Sequence, residues 1–238
     1  MGKAKKPALK SLPPNWREAM WDCAVDPEWR RSRPQLLPAF AVLWLIGCRP
    51  SEIEHGVHLV WRDHLLVIEV TGTKCVDAGQ RERGQPHRRY AFRTGPGEEA
   101  LCPALAVLRR YALEASTDGT GRSVVSHDAD YLYNSVVQLG RAAFPKIRTR
   151  VSPYCFRHQH ASDLKADPEV PLEEAAKAMG HLSDYSIGKY GDATHGRKRG
   201  RAKALMVETS RPVRHSPKVD RLARFKIATM KRRGLKPS

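Results

Sequence analysis

The chain has no CxxC pair, and its five cysteines, Cys23, Cys48, Cys75, Cys102 and Cys155, are odd in number and widely spaced. That pattern excludes a clustered zinc module and a paired disulfide framework, leaving free thiols in a reducing compartment as the expectation. There is no glycine-rich phosphate loop, no internal repeat, and no carboxylate cluster of the kind that holds magnesium. The most apolar run, residues 36–48, contains Pro38 and is too short to span a bilayer, so it reads as a buried helix and gives no membrane partner. The start MGKAKKPALKS is basic with no apolar segment behind it, which excludes an ordinary secretory signal. A cytoplasmic protein is expected. Acidic residues are also scarce: 25 Asp and Glu face 42 Lys and Arg across 238 residues, a formal net charge of +17. Such an excess favours a polyanionic partner and salt-sensitive association. A ribosomal or membrane-surface protein would share it, and nucleic acid is the leading expectation.

The length allows one large domain or two small ones with a real core. Residues 1–14 read as a basic, proline-rich arm. Trp16, Ala19, Met20 and Cys23 have helical spacing over residues 15–25, with Asn15 as cap and Glu18 completing a capping box. The following DPEWRRSRP reads as a turn, whose Arg30, Arg31 and Arg33 are candidate contacts to a nucleic-acid backbone. Residues 36–47 form a helix apolar on nearly all sides, which belongs in the middle of the domain. Arg49 lies at its end, where burying the charge without a partner is costly. Glu52, three residues on, can pair with it.

Strands are expected over 64–71 and 88–92, joined by a polar connection, so that a small antiparallel sheet lies near residues 57–92. Lys74 stands at the turn after Gly72. Helices follow over 103–115 and from Asp128 or Asp130 to just before Pro145, with a glycine-containing loop between them. Lys146, Arg148 and Arg150 alternate with other residues and would share one phosphate-facing edge if extended. They lead into SPYCFRHQHASDL, where Ser152 and Pro153 signal a helix start. Tyr154 and Arg157 are three residues apart and share a face of that helix. A second helix over 171–179 stops at Gly180, a residue suited to a left-handed cap, with His181 just beyond it and Tyr190 nine residues further on. After residue 196 the chain turns basic, with Arg197, Lys198 and Arg199 as candidate nucleic-acid contacts and short helices allowed about 201–207 and 219–230. The organisation expected is a basic arm over 1–14, a compact domain over 15–196 and a basic tail over 197–238. The fold class expected is α+β, mainly helical.

Arginine, lysine, histidine and tyrosine in this order point to chemistry on a phosphate. With Arg49, Lys74, Arg157, His181 and Tyr190 in view, residues 12–195 resemble the catalytic domain of the tyrosine recombinases, or phage integrases. WLIGCRPSEIEHG, carrying Arg49 and Glu52, looks like the first family box, and VTGTKC supplies the hairpin lysine. SPYCFRHQHASDL looks like the second box and AMGHLSDYSIGKYG the last, with the family's nine-residue spacing from His181 to Tyr190. The resemblance implies a mainly helical catalytic domain that cleaves and rejoins double-stranded DNA through a 3′-phosphotyrosyl intermediate. Tyr190 would be the nucleophile, Arg49 and Arg157 would hold nonbridging oxygens, Lys74 would protonate the leaving oxygen, and His181 would hydrogen-bond the phosphate. No metal or other cofactor is required. A homotetramer on paired sites is implied, linked through carboxy-terminal helices, and the protein would be DNA-associated.

Two departures stand out. Where the family usually has histidine or lysine three residues before the second arginine, this chain has Tyr154. A phenol can donate to a phosphate oxygen, but with a pKa of about 10 it is a poor proton acceptor near neutrality. The second departure is the family's amino-terminal clamp domain, for which the 35 residues ahead of Leu36 leave little room. Two alternatives stay open: a catalytically silent or feeble DNA-binding relative with a regulatory or architectural role, and a type I topoisomerase-like activity. Tyr185 is the nearest rival nucleophile.

Overall fold

The computed structural model of the chain describes residues 7–75, 84–114, 121–197 and 201–219, together with 227, 228 and 232. The fold is α+β, with helices dominating a small antiparallel sheet. At its centre runs α3 (Leu36–Ile46), whose eleven residues are all buried, as its all-round apolar sequence requires. Helix α1 (Trp16–Val25) lies beside it and presents Trp16 and Trp21. Trp21 packs on Phe40 and Trp44, and Phe156 of α8 (Pro153–Ala166) closes the aromatic cluster against Phe40 and Trp16. Asn15 and Ser152 stand at the expected helix starts, yet neither side chain caps its helix.

The stretch read as a turn before the central helix is an ordered element. DPEWRRSRP contains α2 (Pro27–Ser32), which Asp26 caps by accepting from the N–H groups of Glu28 and Trp29. GPGEEALCP contains α5 (Pro96–Leu101), ahead of α6 (Pro103–Glu114). Helix α4 (Pro50–Glu54) follows α3 after a sharp reversal, α7 (Ala129–Ala143) starts at its Asp128 cap, and α9 (Leu172–Ala178) ends near Gly180.

The sheet has five antiparallel strands in the order β4 (Arg122–Val125), β1 (Val57–Arg62), β2 (Leu65–Thr71), β3 (His87–Arg93) and β5 (Met206–Thr209). Asp63 and His64 both have positive φ, 51° and 62°, and make the two-residue turn that closes the β1–β2 hairpin. His64 therefore belongs to the turn rather than to the strand expected from residue 64. Val57, Leu59, Leu66, Ile68, Val70, Tyr90 and Phe92 are buried, and helices α4, α6 and α9 lie against the sheet.

Both ends of the chain differ from expectation. Within the basic arm, Leu9 and Leu12 enter the core from the 3-10 turn Pro7–Ser11 and the residue after it. In the basic tail, the helix expected about 201–207 is replaced by an extended run ending in β5, where Met206 to Thr209 pair with Ala91 to Arg88. The edge of β3 offers unpaired backbone groups that a local helix would leave unsatisfied, and this tertiary demand overrides local preference. The helix expected over 219–230 lies almost wholly outside the described residues.

Gly47 makes the reversal between α3 and α4, with φ of +61°. A Cβ there would lie 2.9 Å from His160 Cβ and 3.1 Å from Arg157 Cα, so backbone conformation and space both demand glycine. Gly47→Ala is expected to destabilise the fold by roughly 2–4 kcal/mol, through left-handed strain plus displacement of α8. Urea unfolding checks this; a loss under about 1 kcal/mol would mean that the reversal tolerates a side chain.

Candidate active site

The reversal at Gly47 delivers Arg49 to the start of α4, where the Glu52 carboxylate accepts from the Arg49 N–H at 2.8 Å and from Arg49 Nη1 at 2.6 Å. The expected Arg49–Glu52 pair is thus formed, but a second arginine shares the carboxylate. Arg88 of β3 donates from Nη1 to Glu52 Oε1 at 3.0 Å and from Nη2 to Oε2 at 2.7 Å. Its Nε donates to the Tyr90 hydroxyl at 2.9 Å, and that hydroxyl donates onward to the Ala178 carbonyl at the end of α9. Sequence reading passed over Arg88. The signal was nevertheless present, because Arg88, Tyr90 and Phe92 occupy alternate positions of one strand and so point to the same buried face.

Arg157 is the fifth residue of α8 and is 1% exposed. Its partners are carbonyls: Nη1 donates to Gly47 at 3.0 Å and Nη2 to Met179. Among the described residues no carboxylate pairs with it, and its buried Nε has no hydrogen-bond partner. Tyr190 lies over this guanidinium, with Arg157 Cζ 5.1 Å from the ring centroid. The His181 ring stacks on Tyr190 at 5.2 Å and 27°, and His158 lies 5.1 Å from the same ring. Arg49, Glu52, Arg157, His181 and Tyr190 are therefore brought together, with Arg88 beneath them.

Electrostatics follow from this crowding. Burial alone would raise the Glu52 pKa, but Arg88, Arg157 and Arg49 outweigh it and hold the carboxyl well below its ordinary range. Burial first, then the neighbouring Arg49, lowers the Arg157 value. His181 is pushed from 6.5 down to about 2, by burial and then by Arg157, Arg49 and Arg88, so its ring is neutral at neutral pH. Burial opposes ionisation of Tyr190, yet Arg157 and Arg49 prevail and lower its pKa. Three guanidinium groups around one carboxylate leave excess positive charge in a largely buried place, which an anion would satisfy.

The remaining expected residues are more dispersed. Lys74 is exposed on the bend after β2. That bend borders the site, since the Thr73 hydroxyl shares a hydrogen bond of 2.8 Å with that of Ser51, in the same short helix as Glu52. Tyr154 sits one turn before Arg157, partly exposed, with no hydrogen bond from its hydroxyl among the described residues. Lys146, Arg148 and Arg150 are all exposed on the segment entering α8, alternating with half-buried Ile147 and Thr149. Arg30 and Arg31 line a separate groove of about 470 Å³ between α2 and α6, and Arg33 stacks on Trp29. The Arg197 N–H donates to Asp163 at 2.7 Å, while Lys198 and Arg199 lie outside the described residues. Among the described residues no His, Cys, Asp and Glu group could hold a metal ion, and no helix is long and apolar enough to cross a membrane.

No protein-family model matches the chain, and no curated protein matches it. Among solved structures, a crystal structure of XerA recombinase is similar, with a TM-score of 0.46 and 20% sequence identity. The match covers 75% of this chain and only 58% of that one. A likeness of that size says nothing about chemistry, which the side chains themselves must carry.

Two stability measurements probe the cluster. Arg88→Met removes one partner of a fully buried carboxylate and is expected to cost about 3 kcal/mol at neutral pH. The double variant with Glu52→Gln should cost less than the two single losses combined, since the charge left stranded by either change alone is gone. Additive losses in urea unfolding would mean that the pair is not coupled. For His181, stability is fully present above its unfolded value of 6.5 and is lost as pH falls from there towards 2, because only the unfolded chain takes up the proton. At about pH 5 that loss is on the order of 2 kcal/mol. His181→Gln should lack this component, and parallel pH–stability curves for the two proteins would refute the assignment.

Proposed function

We propose that the chain cleaves and rejoins DNA strands as a site-specific tyrosine recombinase, with Tyr190 as nucleophile. The observation that carries the reading is a phenol lodged against two arginines, one of which has no carboxylate partner among the described residues, beside a neutral buried histidine. Arg157 spends two donor groups on carbonyls and keeps others for an anion. Planar guanidinium groups match the nonbridging oxygens of a phosphodiester and stabilise the charge that grows there in the transition state.

In the proposed step the Tyr190 oxygen attacks phosphorus, a phosphotyrosyl bond forms at the 3′ side, and the bond to the 5′ oxygen breaks. One ester replaces another, so bond energy is conserved and the freed 5′-hydroxyl can reverse the reaction. The phenol gives up its proton to solvent water, and its lowered pKa reduces that cost. Lys74, on the bend bordering the cluster, would protonate the departing oxygen. Neutral His181 would donate one N–H to a phosphate oxygen. Tyr154 would add a hydrogen bond from the opposite end of the same helix turn. The partner is double-stranded DNA, tracked by the exposed basic residues at 146–150, and the working assembly is a tetramer on paired sites.

The test is a denaturant-stable adduct with duplexes nicked to trap the intermediate, followed by mass mapping of the DNA-linked peptide. Attachment at Tyr190 is expected. Tyr190→Phe should abolish the adduct while leaving DNA affinity nearly intact. Tyr154→Phe should slow it by only about three- to tenfold, the worth of one hydrogen bond, and Tyr154→His should accelerate it. Linkage through Tyr185 would move the nucleophile. Specific binding without any adduct would leave a DNA-binding protein that does not cut.

A further inference from the structure

Tyr190 closes the 3-10 turn Asp184–Lys189, a short element with exposed residues Tyr185, Gly188 and Lys189. Such a turn cannot fix a side chain by its own hydrogen bonds, because its last carbonyls have no partners further along it. The partner comes from α8. Lys165 is 5% exposed. Its Nζ donates to the carbonyl of Tyr190 at 3.2 Å and to that of Ile187 at 3.4 Å. An ammonium at these carbonyls meets the negative end of the turn, where a cation is most stabilising.

A second contact holds the next residue. A Cβ on Gly191 would lie 2.1 Å from Ser162 Oγ and 2.5 Å from the His158 carbonyl oxygen, so the main chain runs hard against α8. Lys165, Ser162 and His158 lie on the helix that also carries Arg157. The same rigid element thus holds the phenol's electrostatic partner and the backbone from which the phenol projects.

We infer that Lys165 is a positioning residue for strand cleavage, pinning the main chain of Tyr190 so that its phenol stays in register with Arg157. The inference rests on Tyr190 being the nucleophile. Its function is geometric: fixing the backbone of a reacting group places the oxygen within reach of phosphorus without touching the phosphate. A lysine is suited to this because one ammonium can serve more than one carbonyl.

Lys165→Met, which keeps the length and removes the donors, provides the test. Native trypsin digestion reads the pin directly, because Lys189 is exposed and immediately precedes Tyr190. Cleavage after Lys189 should quicken roughly ten- to a hundredfold, while cleavage after exposed Lys146 stays at the wild-type rate. Single-turnover adduct formation on nicked duplexes should fall by a similar factor with DNA affinity retained. A folded variant with unchanged cleavage after Lys189, or with affinity and adduct rate falling together, would overturn the inference. If Lys165→Met does not fold, nitrogen-15 NMR of the wild type decides: a slowly exchanging ammonium with cross-peaks to residues 190 and 191 is expected, and its absence overturns the pin. Faster cleavage in the variant with no adduct from the wild type would support the pin and sink the nucleophile, which separates the two claims.

Discussion

A single carboxylate under two arginines holds this molecule's parts in register. Glu52 has no exposed surface, and each of its oxygens receives a guanidinium donor. Arg49 reaches it from the start of α4 and Arg88 from β3, so the central helices and the sheet meet at one ion cluster. Through the Tyr90 hydroxyl the same cluster reaches the end of α9 and therefore His181. Apolar side chains could fill such a space at lower desolvation cost, but they could not fix the direction of Arg49. The buried charge is best understood as a device for orientation, and the surrounding apolar core supplies the stability that it does not.

Arg157 is held by a different logic. Backbone carbonyls at two helix ends, Gly47 and Met179, orient it without cancelling its charge. A carboxylate in their place would fix the guanidinium equally well and would also neutralise it. The distinction divides the arginines by consequence: Arg88 is bound into structure, Arg49 is partly compensated, and Arg157 remains electrostatically hungry. Burial acts on His181 and Tyr190 in opposite senses, favouring the neutral form of each, but the arginines' field acts on both alike, so that the imidazole and the phenol each lose a proton more easily. For the histidine that means neutrality, for the tyrosine an approach to the anion.

Much of this was legible in sequence where local rules and tertiary demand agree. The all-apolar run over α3, the glycines at 47 and 180, and the one-turn spacing of Tyr154 and Arg157 each carry a mechanism that survives folding. What escaped depended on partners distant in the chain. Arg88 looks like one of several arginines in HRRYAFR until the alternation is assigned a buried phase, and its carboxylate lies 36 residues away. Strand β5 is four residues with polar and charged members, meaningless without the edge of β3. Lys165 carries no local signal of burial, and two of its partners, the carbonyls of Ile187 and Tyr190, reach it through the return of the chain. The N-terminal leucines were hidden for the same reason, being sparse apolar residues in a basic stretch.

Two segments distant in sequence, α1 and the stretch after Tyr190, meet on α8. Asp163 accepts from Arg17 at 2.8 Å, from Gln159 at 2.8 Å and from the Arg197 N–H at 2.7 Å. Gln159 in turn receives Trp16 Nε1 and donates to the His195 carbonyl, so α1 and the segment after Tyr190 grip one helix through a shared polar network. These contacts, together with the bonds from Lys165 to the carbonyls of Ile187 and Tyr190 and the close approach of Gly191, tie α8 to α1 and to the segment that carries Tyr190. The 3-10 turn Asp184–Lys189 ahead of Tyr190 keeps Tyr185, Gly188 and Lys189 exposed. The segment 211–219 lies directly against that turn: Asp184 accepts from the Ser216 N–H at 2.9 Å and pairs with His215, while the Arg214 N–H donates to Leu182 at 2.8 Å. The turn that leads to Tyr190 is thereby held between α8 and residues 211–219, so the position of the phenol depends on both.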